Sequence, residues 1–213
     1  MNPVLTGSVG LLELSSSDAH RVTESAHGRE SDWSRFSNIE DWRGQIARLN
    51  GHLSSQGGQC VIVASPVAQV LNQSVLSDIR NAYANAAIVV ASEDISARDA
   101  VNLLRAGADD VLVVPCPAEE LESVLDRAIA LAERRAGEEN SAKELKRRLA
   151  SLTRAENDVL DSLLEGMPNK QIAQQFSIGL RTVELRRSKI MKKMHAGNLA
   201  QLVRFVFEAR GDA

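Results

Sequence analysis

The sequence predicts two folds in one chain: an α/β domain on a layered sheet of five strands, followed by an all-α domain of four helices. Three observations predict it. Short β-branched runs alternate with helical spacings up to about residue 135, and beyond residue 150 the spacing is helical throughout. Charge divides the same way. Residues 1–142 carry 11 Lys and Arg against 20 Asp and Glu (−9), and residues 143–213 carry 14 against 8 (+6). Strands that alternate with helices demand a βαβ sheet with right-handed crossovers. A length of 213 residues suits one large domain or two small ones. The expected division is 1–135 for the sheet domain, 136–150 for a linker and 151–213 for the helices.

Val9 to Leu14 reads as the first strand. Residues 19–52 read as a helix, a weak strand near Trp33 to Asn38, and a helix through Trp42, Ile46 and Leu49. Val61-Ile62-Val63, Ile88-Val89-Val90 and Val111-Leu112-Val113-Val114 are unbroken apolar runs, the signature of strands buried on both faces. Residues 98–106 have helical spacing, with Val101, Leu104 and Ala108 on one face and Gly107 as the stop. A further helix at 118–134 spaces Leu121, Val124, Leu125, Ala128 and Leu131 by threes and fours. Residues 136–150 are charged and poor in large apolar side chains, which predicts a solvated linker, helical after Asn140.

Thr153-Arg154-Ala155-Glu156 is a capping box that opens the first helix of the second domain. That helix buries Val159, Leu160, Leu163 and Leu164 and ends at Gly166, with Pro168 beyond. Asn169 is expected to cap a short helix holding Ile172, Ala173 and Phe176. After Ser177-Ile178-Gly179 a longer helix runs from Leu180 to about His195, and Asn198 caps a fourth with Leu199, Leu202, Val203 and Val206.

Apolar residues make up 44% and charged residues 25%, a globular balance. No apolar run is long enough to span a bilayer, and Met1 to Gly10 lacks the form of a secretory signal. Cys60 and Cys116 are too few for a metal cluster or disulfide framework, so the cytosol is expected. His20, His27, His52 and His195 are scattered. No Ser-His-Asp arrangement, metal-ligand spacing or Gly-rich phosphate loop is visible, so neither an enzyme nor a cofactor is expected.

Two helices joined by a tight three-residue turn containing Gly have the geometry of a helix-turn-helix. With Val183 at zero and 100° per residue, the inner side of the second helix collects Val183, Ile190, Met191 and Met194. The outer side collects Arg181, Glu184, Leu185, Ser188, Lys189 and Lys192. Such a face suits a major groove: Arg or Lys for guanine, Glu for a cytosine amino group, Leu for a thymine methyl. It is also the face of an ordinary solvated helix. Lys170 and Thr182, near helix N-termini, are placed for phosphates. Arg186 and Arg187 fall on the flanks.

Residues 152–206 resemble the LuxR-type helix-turn-helix of FixJ/NarL response regulators. The shared pattern is LTxxExxVL, a Gly, NKxIA, I-x-x-RTVE, a helix ending KKM, and a fourth helix with LxxLVR. The resemblance implies double-stranded DNA as partner, Leu180 to Met194 in its major groove, and a fourth helix that helps pair two subunits. Phe205 and Phe207 lie off the core side of that helix; either packs across a two-fold axis or simply tops the small core. Gly179 and Leu180 stand where many members have Ser-Pro, and Arg186 where His is frequent.

In this family the first domain is a receiver, a doubly wound five-stranded parallel sheet. Ile88 to Ser92, the turn Ala106-Gly107-Ala108-Asp109-Asp110 and Pro115, whose counterpart in receivers is cis, resemble its second half. The chemistry is missing. Aspartyl phosphorylation needs an Asp nucleophile, an acidic pair for Mg²⁺ and a Lys. The third strand ends in Ala64-Ser65, Val114 precedes Pro115, and the first strand offers only Glu13 and, further on, Asp18. Ser92 alone remains. The expectation is a pseudo-receiver: a transcription regulator independent of phosphorylation and homodimeric, with the 98–135 surface first in line to pair. The alternative is an adaptor whose pseudo-receiver docks a protein partner or a small ligand in the strand-end crevice, with weak DNA binding.

Overall fold

The computed structural model describes residues 8–26, 33–38, 40, 59–72 and 74–211. The chain divides into two compact units, Met1–Gly137 and Glu138–Ala213. The first contains β1 (Ser8–Glu13), α1 (Ser16–Ala26), β2 (Ser34–Phe36), β3 (Gln59–Ala64), α2 (Val67–Asn72), α3 (Val75–Ala82), β4 (Ala87–Ser92), α4 (Ala97–Arg105), β5 (Asp110–Val113) and the start of α5 (Ala118–Ala150). All strand pairs are parallel, in the order β2-β1-β3-β4-β5, as a doubly wound sheet requires. The helix expected through Trp42, Ile46 and Leu49 lies outside the described residues, as do His27 and His52.

Because side chains alternate along a strand, each buried run feeds two cores. Leu11, Ile62, Val89 and Leu112 face Ala19 and Val22 of α1 and Leu121, Val124, Leu125 and Ala128 of α5. Leu12, Val61, Val63, Ile88 and Val90 face Val75, Leu76 and Ile79 of α3 and Leu103 of α4. The Val114–Pro115 peptide is cis, as the resemblance implied.

Two of the elements that begin in the first unit depart from the sequence reading. In α4 the buried side chain is Leu103, while Val101 and Leu104 are 47% and 46% exposed. Gly107 leaves the helix at φ 111°, so Ala108 lies beyond its end and was no guide to its inner face. Residues 118–150 form one helix of 33 residues, without the break expected before Asn140, and Leu131 in it is only half-buried. The charged stretch is made of strong helix formers, and a lone Gly137 costs only about 1 kcal/mol. Spaced pairs add support: Lys143 with Glu139 at 2.6 Å and Arg148 with Glu144 at 2.8 Å.

The second unit packs α6 (Arg154–Leu164), α7 (Asn169–Gln175), α8 (Leu180–Met194) and α9 (Leu199–Arg210) around Val159, Leu160, Leu163, Ile172, Val183, Ile190, Met194, Leu202 and Val206. The capping box forms as expected: the Thr153 amide donates to Glu156 Oε2 at 2.8 Å and the Glu156 amide to Thr153 Oγ1 at 3.3 Å. Asn169 does not cap α7; Pro168 holds that position without a side-chain bond, its fixed φ of −65° already suiting the chain's entry into the helix. No described helix is long and apolar enough to cross a membrane.

Candidate nucleic-acid interface

The turn between α7 and α8 sets the angle of the second helix. The Ser177 amide donates to Gln174 O at 3.2 Å and the Ile178 amide to Ala173 O at 3.0 Å, a Schellman closure. The left-handed residue this closure needs is Ser177, at φ 52°, not the glycine. Gly179 instead has extended backbone and stands before α8 as a cap that contributes no side-chain bond.

Helix α8 is held by one face. Val183, Ile190 and Met194 are buried and Met191 is half-buried. Two polar contacts fix its rotation. Arg187 Nη1 donates to Asn169 Oδ1 at 3.4 Å, and Lys193 Nζ donates to Glu156 Oε2 at 2.6 Å and to Ser151 O at 3.0 Å. Glu156 is buried, yet the Lys193 bond and the Thr153 amide hold its carboxyl below the ordinary value. The capping box marks Glu156 and the helical spacing puts Arg187 on the flank, but neither their partners nor Lys193 is legible in the sequence, because nothing local marks a partner so far along the chain.

On the opposite face Arg181, Glu184, Leu185, Ser188, Lys189 and Lys192 are all exposed. Leu185 is 55% exposed, a large apolar side chain offered to solvent amid charges. Lys170 is exposed on α7 and Thr182 is half-buried in the first turn of α8. Arg186 is half-buried, like Arg187, on the flank. On α9, Phe205 packs against the core, with the Arg204 guanidinium 5.3 Å from its ring centroid, whereas Phe207 is 46% exposed. Of the two aromatic candidates for pairing, Phe205 is the one that tops the core.

The other candidate site is the carboxyl end of the sheet. Ala64 ends β3, and the Leu14 and Ser15 amides both donate to its carbonyl, at 3.0 and 3.1 Å. Ser65, Ser92 and Val114 are buried, with Ser65 at 0% exposure. Glu13 is ion-paired with Arg35 of β2. Asp18, 4% exposed, accepts the Glu93 amide on Oδ1 at 3.0 Å, while Arg21 pairs with the Glu93 carboxylate at 2.9 Å. The predicted residues therefore gather at one end of the sheet, where the Glu13 and Asp18 carboxylates are engaged by Arg35 and the Glu93 amide. Among the described residues no three His, Cys, Asp or Glu side chains stand together.

At the other end of the sheet, Asp109 is the hub of a clamp that the sequence did not reveal. Its Oδ2 accepts from Arg80 at 2.8 Å, from Arg135 at 3.0 Å and from the Ile88 amide at 2.8 Å, and its Oδ1 accepts from Arg135 at 2.7 Å. Burial pushes this carboxyl up, and the bonds from Arg135, Arg80 and Ile88 more than reverse it, leaving it below the ordinary value.

Residues 150–206 match the family described as bacterial regulatory proteins, luxR family. The chain is 37% identical over 110 residues to the transcriptional regulatory protein FixJ of Bradyrhizobium diazoefficiens, covering 52% of this chain and 54% of that protein. It is 40% identical over 105 residues to the C4-dicarboxylate transport transcriptional regulatory protein DctR of Rhodobacter capsulatus, covering 49% and 53%. The chain thus spans about half the length of these curated relatives. Among solved structures, the response regulator StyR superposes with a TM-score of 0.64 at 21% identity, covering 94% of this chain and 98% of that one, a likeness of fold.

Proposed function

We propose that this protein, in which a luxR-family helix-turn-helix follows a receiver-like sheet domain, is a cytoplasmic transcription regulator that reads duplex DNA through α8. The observation that carries this is the outward stripe of α8. Its cations Arg181, Lys189 and Lys192 are exposed and make no ion pair among the described residues. Donors, one carboxylate and one leucine side by side can discriminate base edges. Lys170 and Thr182 serve the phosphates. Neither α7 nor α8 has a side-chain cap, which leaves first-turn amides for the same use. Fluorescence anisotropy against a random duplex over a salt series tests the reading. Affinity should fall steeply as salt rises. A negligible, salt-independent signal would sink it and favour the adaptor.

The regulator acts without aspartyl phosphorylation. Ala64 and Ser65 stand where the nucleophile would, Val114 where the Lys would, and the two acids that follow the first strand's core, Glu13 and Asp18, are already bonded to Arg35 and the Glu93 amide. Incubation with acetyl phosphate and Mg²⁺, followed by intact mass measurement, should show no added phosphoryl group; a stable addition would refute this. Self-association takes the place of the lost signal. Val101 and Leu104 of α4 and Val113 of edge strand β5 are large apolar side chains left exposed on adjoining elements. An apolar face of this kind fits a second copy.

A further inference from the structure

Cations are unequally employed in this molecule. In the sheet unit Arg21, Arg35, Arg80, Arg127 and Arg135 each hold a carboxylate, while the exposed Arg98 and Arg105 make no ion pair among the described residues. In the helical unit Lys146 and Arg154, like Lys170, Arg181, Lys189 and Lys192, are exposed and make no ion pair among the described residues. Neither belongs to the reading face. They flank the junction of α5 and α6, in a stretch, 143–154, that carries five cations against the single acid Glu144 (+4).

That junction touches the reading helix. Lys193 Nζ donates to the Ser151 carbonyl at 3.0 Å and to Glu156 at 2.6 Å, so the last turn of α8, with Lys192 exposed on it, abuts residues 151–156. Lys193 is neutralised by Glu156 there, but Lys146, Arg154 and Lys192 are not. Arg147 reaches Glu144 at 2.7 Å while remaining 79% exposed, and Glu144 is shared with Arg148. Lys146 precedes Ser151 by about 7–8 Å of helix axis. Arg154 is the first residue of α6, the end at which a helix dipole repels a cation. Folding of the unit supplies no reason for a positive side chain at that place.

We propose that Lys146 and Arg154 form a second, sequence-blind contact with the duplex backbone, gripping phosphates that flank the bases read by α8. This rests on the DNA-reading proposal above, since the occupant is the same duplex continued past Lys192. Duplex DNA offers about one charge per 1.7 Å of axis, so cations within a few residues of the junction find phosphates without a particular sequence. The contact adds affinity and register, and no discrimination between operators.

The test compares the full chain with Lys146→Ala, Arg154→Ala and the double variant, each checked for an unchanged circular dichroism spectrum. Anisotropy over a salt series is measured on a duplex selected from a random pool and on a random duplex. The log-log salt slope should become shallower by about one per residue removed. Both duplexes should lose affinity by the same factor, leaving their ratio unchanged. A double variant with the slope and affinity of the parent overturns this inference and leaves the reading of α8 intact. A change in the ratio between the duplexes overturns it too, because the residues would then be reading bases. A parent chain with no salt-dependent affinity overturns both.

Discussion

Glu156 shows how one side chain serves two elements. It closes the capping box of α6 and receives Lys193 from α8, so the rotation that turns the charged face of α8 outward depends on it. Its depressed carboxyl makes the bond a source of stability above the ordinary carboxylate range, lost as pH falls through the lowered value. In Lys193→Ala the helical unit should unfold about 1–2 kcal/mol more easily at neutral pH, since a buried carboxylate loses a charged partner. The gap from the parent should narrow on acidification; urea titrations at several pH values measure both. On the solvent side, Leu185→Ala or Lys192→Ala should relax preference at particular base pairs, whereas Lys170→Ala should weaken all sequences alike. Selection from a randomised duplex pool before and after substitution decides it, and equal effects from both kinds of change would count against the docking of α8.

At the scale of elements, four helices end with the same paired bonds, at Gly107, Gly166, Ser177 and His195. All four residues have positive φ, from 52° at Ser177 to 111° at Gly107, which only glycine adopts without steric cost. Ser177→Gly and His195→Gly should therefore each stabilise the helical unit by about 0.5–1 kcal/mol, and Gly166→Ala should destabilise it by about as much. Thermal melts give the sign directly. Within α5, a Cβ at Gly137 meets nothing within 4 Å, so Gly137→Ala should strengthen the helix by about 1 kcal/mol without a clash. The sequence marked Gly107 and Gly166 as stops because a glycine after a periodic stretch is legible. Ser177 and His195 carry no such mark, since only the closed backbone shows which residue turns left-handed.

At the scale of the whole molecule, the proposed self-association rests on the exposed apolar side chains of α4 and β5. Replacing Val101 and Leu104 by Asp should render the protein monomeric in sedimentation. It should also lower affinity for a paired site by about 10²-fold or more, with a single half-site unaffected, because linkage supplies effective concentration and no new contacts.

The sequence by itself determined the βα alternation, the five strands, the four-helix unit and the face of α8 that looks outward. Each follows from the periodicity of apolar residues, which burial enforces at every turn or alternate residue and which therefore survives in the linear text. The same arithmetic failed on α4, where a residue beyond the helix end set the phase, and on α5, where strong helix formers carried the chain through a stretch without a core. Tertiary structure alone decided that Arg80 and Arg135 meet at Asp109, that Lys193 meets Glu156, and that the end of α8 lies against the junction bearing Lys146 and Arg154. Such meetings join residues far apart along the chain. Their partners are fixed by the closing of the whole fold, and no local spacing encodes them.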